Sequence, residues 1–346
     1  MKSNFFFKVS VIFILVVCAI LGIQEEIYAQ STKSRSTYKF GLATGLAGLG
    51  DQSFNDMQYN GMILAKKKYG ISFIYDSPTK VEDDIPVIEG LIKKGCNVII
   101  AGGGYHMKEP VDLLSGKYPA VQFIILDDFA KEYHKNICSV VLRQNEGSFL
   151  VGALAAQMTK TGNIAVMGAV NIDIINDFII AYIAGAKYIN NSMNIIVKYI
   201  SEKDRKVNPY TSPEVAKELS LELYDQDKVD VIFGVATASN LGIFSAAKEK
   251  AKYAIGVDSD QDFHAKGLVL TSMMKRLDLA LVYIIGLFLD NKIENKPYSI
   301  GLKENGVGLT PMTYTRHIIL DSCLEKLDQI KADIINHKII VPTVFN

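Results

Sequence analysis

Residues 163–200 read NIAVMGAVNIDIINDFIIAYIAGAKYINNSMNIIVKYI. NIAVMG, 163–168, is short and apolar and predicts a strand buried on both faces. From Ile174 to Asn190 apolar residues return every three or four positions, which predicts an amphipathic helix. NIIVKYI, 194–200, is a second strand. Two strands joined through a helix form a crossover unit between parallel neighbours.

The same alternation extends in both directions. Upstream, KFGLAT (39–44), ISFIY (71–75), NVIIA (97–101), VQFIILD (121–127) and CSVVL (138–142) predict strands, with helices over Gln52–Tyr69 and Asp83–Lys94. Helix Glu146–Thr159 leads into the central stretch. Downstream come helix Pro213–Tyr224, VDVIFG (229–234), helix Asn240–Lys250, YAIGV (253–257) and LVLTSM (268–273). Helices Leu277–Leu289 and Asp321–His337 follow, and KIIVPTVFN closes the sequence. Two such series predict an α/β protein of two doubly wound parallel-sheet lobes. No low-complexity linker separates them, so the lobes are joined by short crossings. The expected division is 36–143 plus 274–296 for the N-terminal lobe and 144–273 plus 297–346 for the C-terminal lobe.

Lys2 and Lys8 precede an apolar run from Val9 to Ile23, the pattern of an export signal, with cleavage expected after Ala29. Cys18, after Leu15-Val16-Val17, offers an alternative lipid anchor. Either route places the mature protein in the periplasm or on the outer face of the cytoplasmic membrane. The 37 basic and 37 acidic residues cancel, and removal of 1–29 takes two of each (Lys2, Lys8, Glu25, Glu26). A neutral chain lacks the cationic excess that a nucleic-acid partner requires. A hydrophobic fraction of 49% against 21% charged residues excludes a disordered chain. Cys96, Cys138 and Cys323 remain after processing; three distant thiols make no disulfide framework and read as small buried hydrophobes.

In open parallel sheets ligands bind beyond the carboxyl ends of the strands. The segments there are GLAGLGDQSFND, AGGGYH, LDDFA, MGAVNIDIINDF, ISEKDRKVNPYTS, GVATASN and GVDSDQD. They supply carboxylates and amides that accept hydroxyl protons, glycines that admit close approach, and the aromatics Phe54, Tyr105, Phe129, Phe178 and Tyr210. Motifs for catalysis fall short. Gly48 and Gly50 begin a dinucleotide loop, but Ser53 stands where its third glycine belongs. Ser272-Met-Met-Lys275 and Lys160-Thr161-Gly162 occur in the wrong order for a penicillin-binding enzyme. The five histidines have no metal-ligand spacing. Asp258, Asp260 and Asp262 alternate as in a calcium loop but lack its glycine and closing glutamate. No metal or cofactor is expected.

GLGDQSFND, AGGGY, FIILDDFA, EGSFLVGALAAQMTKTGNIAVMG, YAIGVDSDQD, TSMMKR and KIIVP together resemble the basic membrane protein family, the purine nucleoside receptor group of substrate-binding proteins. The resemblance implies a periplasmic binding-protein fold of the first type with three hinge crossings, and delivery of a captured solute to an ABC transporter permease. It assigns Phe54, with its neighbour Asn55, to stacking on a flat ring and Tyr210 to the opposing face. Asp258 and Lys275 would hold sugar hydroxyls, and Asp127 the ring edge. Tyr105 and Phe178 join the candidate binding residues by their position at strand ends. Two departures from the family pattern matter: Gly45 follows Thr44 where the nucleoside receptors carry Asp, and Thr237 and Ala238 replace glycines. The missing carboxylate is expected to open space beside Phe54, and the GLGDQSFND version resembles the spirochaetal riboflavin-binding branch. Riboflavin is the favoured ligand and a purine nucleoside the alternative. A surface adhesin and a nucleoside-cleaving enzyme are further alternatives with less support in the residues.

Overall fold

The computed structural model describes residues 38–345 apart from Asp204. The expected leader over 1–29 and Cys18 lie outside the described residues. Among the described residues no helix is long and apolar enough to cross a membrane.

Strands β1 (Lys39–Ala43), β2 (Ser72–Asp76), β3 (Val98–Ala101), β4 (Gln122–Leu126) and β5 (Ile137–Leu142) belong to one sheet. Strands β6 (Asn163–Val170), β7 (Asn194–Ser201), β8 (Val231–Val235), β9 (Tyr253–Asp258) and β10 (Val269–Lys275) belong to a second. Two short late strands, β11 (Pro297–Ile300) and β12 (Val307–Leu309), complete them. The strand orders are β11-β5-β4-β3-β1-β2 and β12-β10-β9-β8-β6-β7. All pairings are parallel except β10 with β12. Central strands such as β3, β5 and β8 are buried along their whole length, whereas the edge strand β2 is half open. That is the burial expected when helices cover both faces of a parallel sheet.

The first lobe carries helices α1 (Phe54–Tyr69), α2 (Asp84–Lys93), α3 (Lys108–Lys117) and the late α8 (Leu277–Leu289), which packs on α1. The second carries α4 (Gln144–Met158), α5 (Asp173–Ile189), α6 (Pro213–Asp225), α7 (Asn240–Lys250) and α9 (Asp321–Ile335). The chain crosses between lobes three times: at Arg143, at Arg276, and between Gly301 and Gly306. Met274 and Lys275, which the sequence reading gave to the first lobe, instead end β10 in the second sheet, and Pro297–Ile300, which it gave to the second lobe, hydrogen-bonds along β5 at the edge of the first sheet. Its leading proline lacks a donor and is tolerated at an edge, so the segment carries little strand signal of its own. The crossings are stitched side by side: Arg143 N–H donates to the Ile300 carbonyl (2.9 Å) and Arg276 N–H to that of Gly306 (2.8 Å). Arg143 also pairs with Glu304 at 3.0 Å, and Arg276 forks onto Asp278 at 2.9 and 2.8 Å.

Helices α4 and α5 approach to backbone contact. A Cβ at Gly185 would fall 2.0 Å from the Phe149 carbonyl oxygen, and one at Gly152 would fall 2.1 Å from that of Tyr182. Because the obstacle is backbone on both sides, the contact cannot relax by a rotamer change. Gly185→Ala is expected to destabilise the protein by about 1–3 kcal/mol in urea unfolding, the usual cost of overpacking a core; an unchanged midpoint would show that the helices separate freely.

Candidate functional site

The carboxyl ends of the two sets of strands face one another. Between them lies a narrow cleft with about 640 Å³ of space free of protein atoms when the open solvent at its mouth is counted. Its walls include all eight residues singled out from the sequence: Phe54, Asn55, Tyr105, Asp127, Phe178, Tyr210, Asp258 and Lys275.

Phe54 opens α1, and the residues before it are organised by Asp51. The Asp51 carboxylate accepts the N–H groups of Ser53 (3.0 Å), Asn55 (2.9 Å) and Asp56 (3.1 Å), satisfying helix donors that have no partner within the helix. Asn55 donates its side-chain amide to the same carboxylate at 2.9 Å and accepts from Gly45 N–H at 2.7 Å. Both ends of this amide therefore brace the loop between β1 and α1. The room expected beside Gly45 is partly taken: a Cβ there would lie 3.1 Å from Asn55 Oδ1.

Asp127 ends the β4 segment and Asp258 ends β9, one in each lobe, and both have left-handed backbone, with φ of 66° and 67°. For a non-glycine residue this conformation is unfavourable and concentrates at functional positions. Lys275, at the end of β10, reaches across the cleft to Asp127 Oδ2 at 2.5 Å, and its side chain is 1% exposed. The other Asp127 oxygen is buried without a hydrogen-bond partner. Ser53 Oγ of the first lobe donates to Asp258 Oδ2 of the second at 2.8 Å, and Ser259 Oγ donates to the Gln52 carbonyl at 2.5 Å. These bonds join the lobes, so the structure is the closed form. Burial raises Asp127 to about 6, although the Lys275 ammonium opposes the shift. Burial likewise raises Asp258 to about 6 against the combined pull of Lys275 and the Ser53 hydroxyl.

The ammonium of Lys275 is flanked by the rings of Phe178 (5.0 Å) and Phe54 (5.9 Å), within cation–π range. Tyr210 and Tyr105, from opposite lobes, join through their hydroxyls. The Tyr210 loop is fixed from behind, where its carbonyl accepts Thr237 Oγ1 at 3.1 Å and Ser239 N–H at 3.2 Å. In the closed form, then, Phe178 rather than Tyr210 shares the ammonium with Phe54. Sequence reading did not single out the apolar wall of Leu46, Ile174, Ile175, Val235 and Val257, because such residues at strand and helix ends read as core. It also passed over His106, whose Nδ1 lies 2.6 Å from the buried carboxylate of Asp84. Its position in AGGGYH was the available signal. Among the described residues no group of His, Cys, Asp or Glu is arranged to hold a metal. Asp262, of the alternating aspartates, instead accepts the hydroxyls of Ser272 (2.7 Å) and Thr310 (2.6 Å) within the second lobe. Cys96, Cys138 and Cys323 are free and buried. The arrangement pairs aromatic faces with buried hydrogen-bonding charge, which suits holding a flat, hydroxylated molecule.

Comparison with known proteins bears on the family and the fold. The profile of ABC transporter substrate-binding proteins described as PnrA-like matches residues 44–344. Basic membrane protein A2 of Borrelia garinii subsp. bavariensis is 28% identical over 302 residues, covering 84% of this chain and 85% of that protein. An uncharacterised lipoprotein of Pyrococcus furiosus is 27% identical over 310 residues, covering 87% and 77%. Among solved structures, a solute-binding protein of an ABC transporter system from Aeropyrum pernix superposes with a TM-score of 0.78. It covers 89% of this chain and 94% of its own at 23% identity, a likeness of fold.

The raised carboxyls have a direct consequence for stability. A carboxyl raised from 3.8 to about 6 by folding favours the folded chain below pH 3.8, and that contribution is lost as pH rises through about 6. The ligand-free protein is therefore expected to lose this share of its stability between about pH 4 and 6. Asp258→Asn, whose amide tolerates left-handed backbone, should flatten the pH profile of urea unfolding by about one proton's worth. An identical slope in the variant would contradict the assignment.

Proposed function

The chain belongs to the family of PnrA-like ABC transporter substrate-binding proteins, and on that premise we propose that it captures riboflavin between its lobes and passes it unaltered to a membrane permease. The observation that carries this reading is the pairing, in one closed cleft, of aromatic faces with Asp127, Asp258 and Lys275. The isoalloxazine ring stacks on Phe54, with the second lobe closing over its other face through Tyr210 or Phe178. The ribityl hydroxyls donate to Asp258 and accept from Lys275, and the unpartnered oxygen of Asp127 takes a ring-edge N–H. Ligand contacts to both lobes exist together only in the closed form, and that difference in affinity drives closure.

A purine nucleoside is the second reading. It is favoured by the tightness of the closed cleft, in which Ser53 to Asp258 and Lys275 to Asp127 already bridge the lobes. The two ligands share a planar heteroaromatic ring and a hydroxylated arm, and the absence of a carboxylate at Gly45 inclines the choice to the flavin.

Riboflavin titration followed by loss of flavin fluorescence tests the reading, with adenosine, inosine and guanosine measured in parallel by calorimetry. Phe54→Ala removes a stacking face worth about 0.5–1.5 kcal/mol beyond its buried area and should weaken the bound compound 10-fold or more. Failure of all four compounds to bind, or an unchanged affinity in the variant, would refute it. Saturation by nucleosides alone would select the second reading. Flavin mononucleotide should bind about 100-fold or more weakly than riboflavin. The cleft holds two buried carboxylates and a single ammonium already paired, so a phosphate would be desolvated without compensation.

A further inference from the structure

Asp177 is a buried carboxylate that the binding site does not use: it is 1% exposed and absent from the cleft wall. Each donor it receives comes from outside its own helix. Its Oδ1 accepts Thr343 Oγ1 at 2.6 Å and Val344 N–H at 3.0 Å, and its Oδ2 accepts Gln144 Nε2 at 2.7 Å. Gln144 is the residue immediately after the crossing at Arg143, and its neighbour Asn145 donates to the Pro342 carbonyl at 3.2 Å. Residues 341–345 are thus seated on the second lobe at the hinge. They then reach the other lobe, where the Phe345 ring meets that of Phe129 with centroids 5.7 Å apart. Phe129 is two residues beyond Asp127, and its N–H is held by Asp128 at 2.7 Å.

We propose that residues 341–345 form a strap across the hinge, seated on Asp177 and fastened to the first lobe by Phe345, that adds stability to the closed form independently of the ligand. The seat and the fastening belong to different lobes, so hinge rotation either parts the Phe345–Phe129 contact or pulls the strap from Asp177. Both ends are tied to the binding site. Phe178, next to Asp177, faces the Lys275 ammonium, and the loop carrying Phe129 also carries the partner of that ammonium. The strap therefore adds a contact to the same closed state that Lys275 and Asp127 define, at a place no ligand occupies.

The experiment uses the full chain without ligand. Spin labels on Glu82→Cys and Glu214→Cys, exposed positions on opposite lobes, report the interlobe distance by pulsed electron resonance in a chain carrying Cys18→Ser, since Cys96, Cys138 and Cys323 are buried. Wild type should give a measurable population at the short distance beside the open one. Phe345→Ala and Thr343→Val should each raise the ratio of open to closed chains about 2- to 12-fold, the effect of losing one aromatic pair or one buried hydrogen bond. Phe345→Tyr, which keeps the ring, should restore the wild-type distribution. Chemical unfolding of each variant confirms that the lobes themselves are intact. A wild-type chain with no short-distance population, distributions unchanged in Phe345→Ala and Thr343→Val, or equal opening in Phe345→Tyr would each overturn the strap. Because no ligand is added, the outcome is independent of which solute the cleft accepts.

Discussion

The closed form turns on the ion pair between Lys275 and Asp127, one from each lobe, met at 2.5 Å with side chains 1% and 4% exposed. Neither charge is neutralised at such range inside its own lobe, so separating the lobes sends both back to water. Dehydrating two opposite charges is costly unless further bonds satisfy what remains of them. The ammonium is flanked by two aromatic rings, but Asp127 keeps one oxygen without a partner. The pair therefore leaves the closed state incomplete, with an acceptor that a bound molecule can satisfy. In the proposed reading a bound molecule that satisfies this oxygen would favour the closed form.

Everything else in the architecture serves to bring those two side chains together. Parallel sheets direct their loops to one edge, and two lobes placed edge to edge give a seam lined by loops from both. The crossings near Arg143, Arg276 and Gly301–Gly306 run side by side, which confines the relative movement to a pivot. Arg143 and Arg276 are each matched by nearby acids, so the pivot carries its own charge balance rather than borrowing from the cleft.

Much of this was legible in the residues because the fold rests on local patterns. Apolar runs of strand length alternate with helical periodicity along most of the chain, and the ends of those runs locate the rim where Phe54, Asp127, Asp258 and Lys275 meet. The short edge strands were not legible. PYSI and VGL, at β11 and β12, are too brief and too interrupted by proline and glycine to stand out, and their pairing is set by distant partners. The same applies inside the site. Asn55 reads as a ligand contact from its place beside Phe54, yet both atoms of its amide serve the loop. Asp177 reads as an ordinary polar residue of a helix, since its partners lie 33, 166 and 167 positions away. Long-range polar contacts leave no periodic trace, so sequence reading finds the rim and misses the ties that hold it.

The left-handed aspartates bear on how such a protein changes its cargo over generations. At most positions a mutation from aspartate to glycine loosens the backbone and is selected against. At Asp127 and Asp258 it would relieve an unfavourable φ while deleting a carboxylate that lines the cleft, so part of the cost of the deletion is offset in the backbone. Exchange of either acid for glycine would therefore change the polar groups facing the cleft without touching either hydrophobic core.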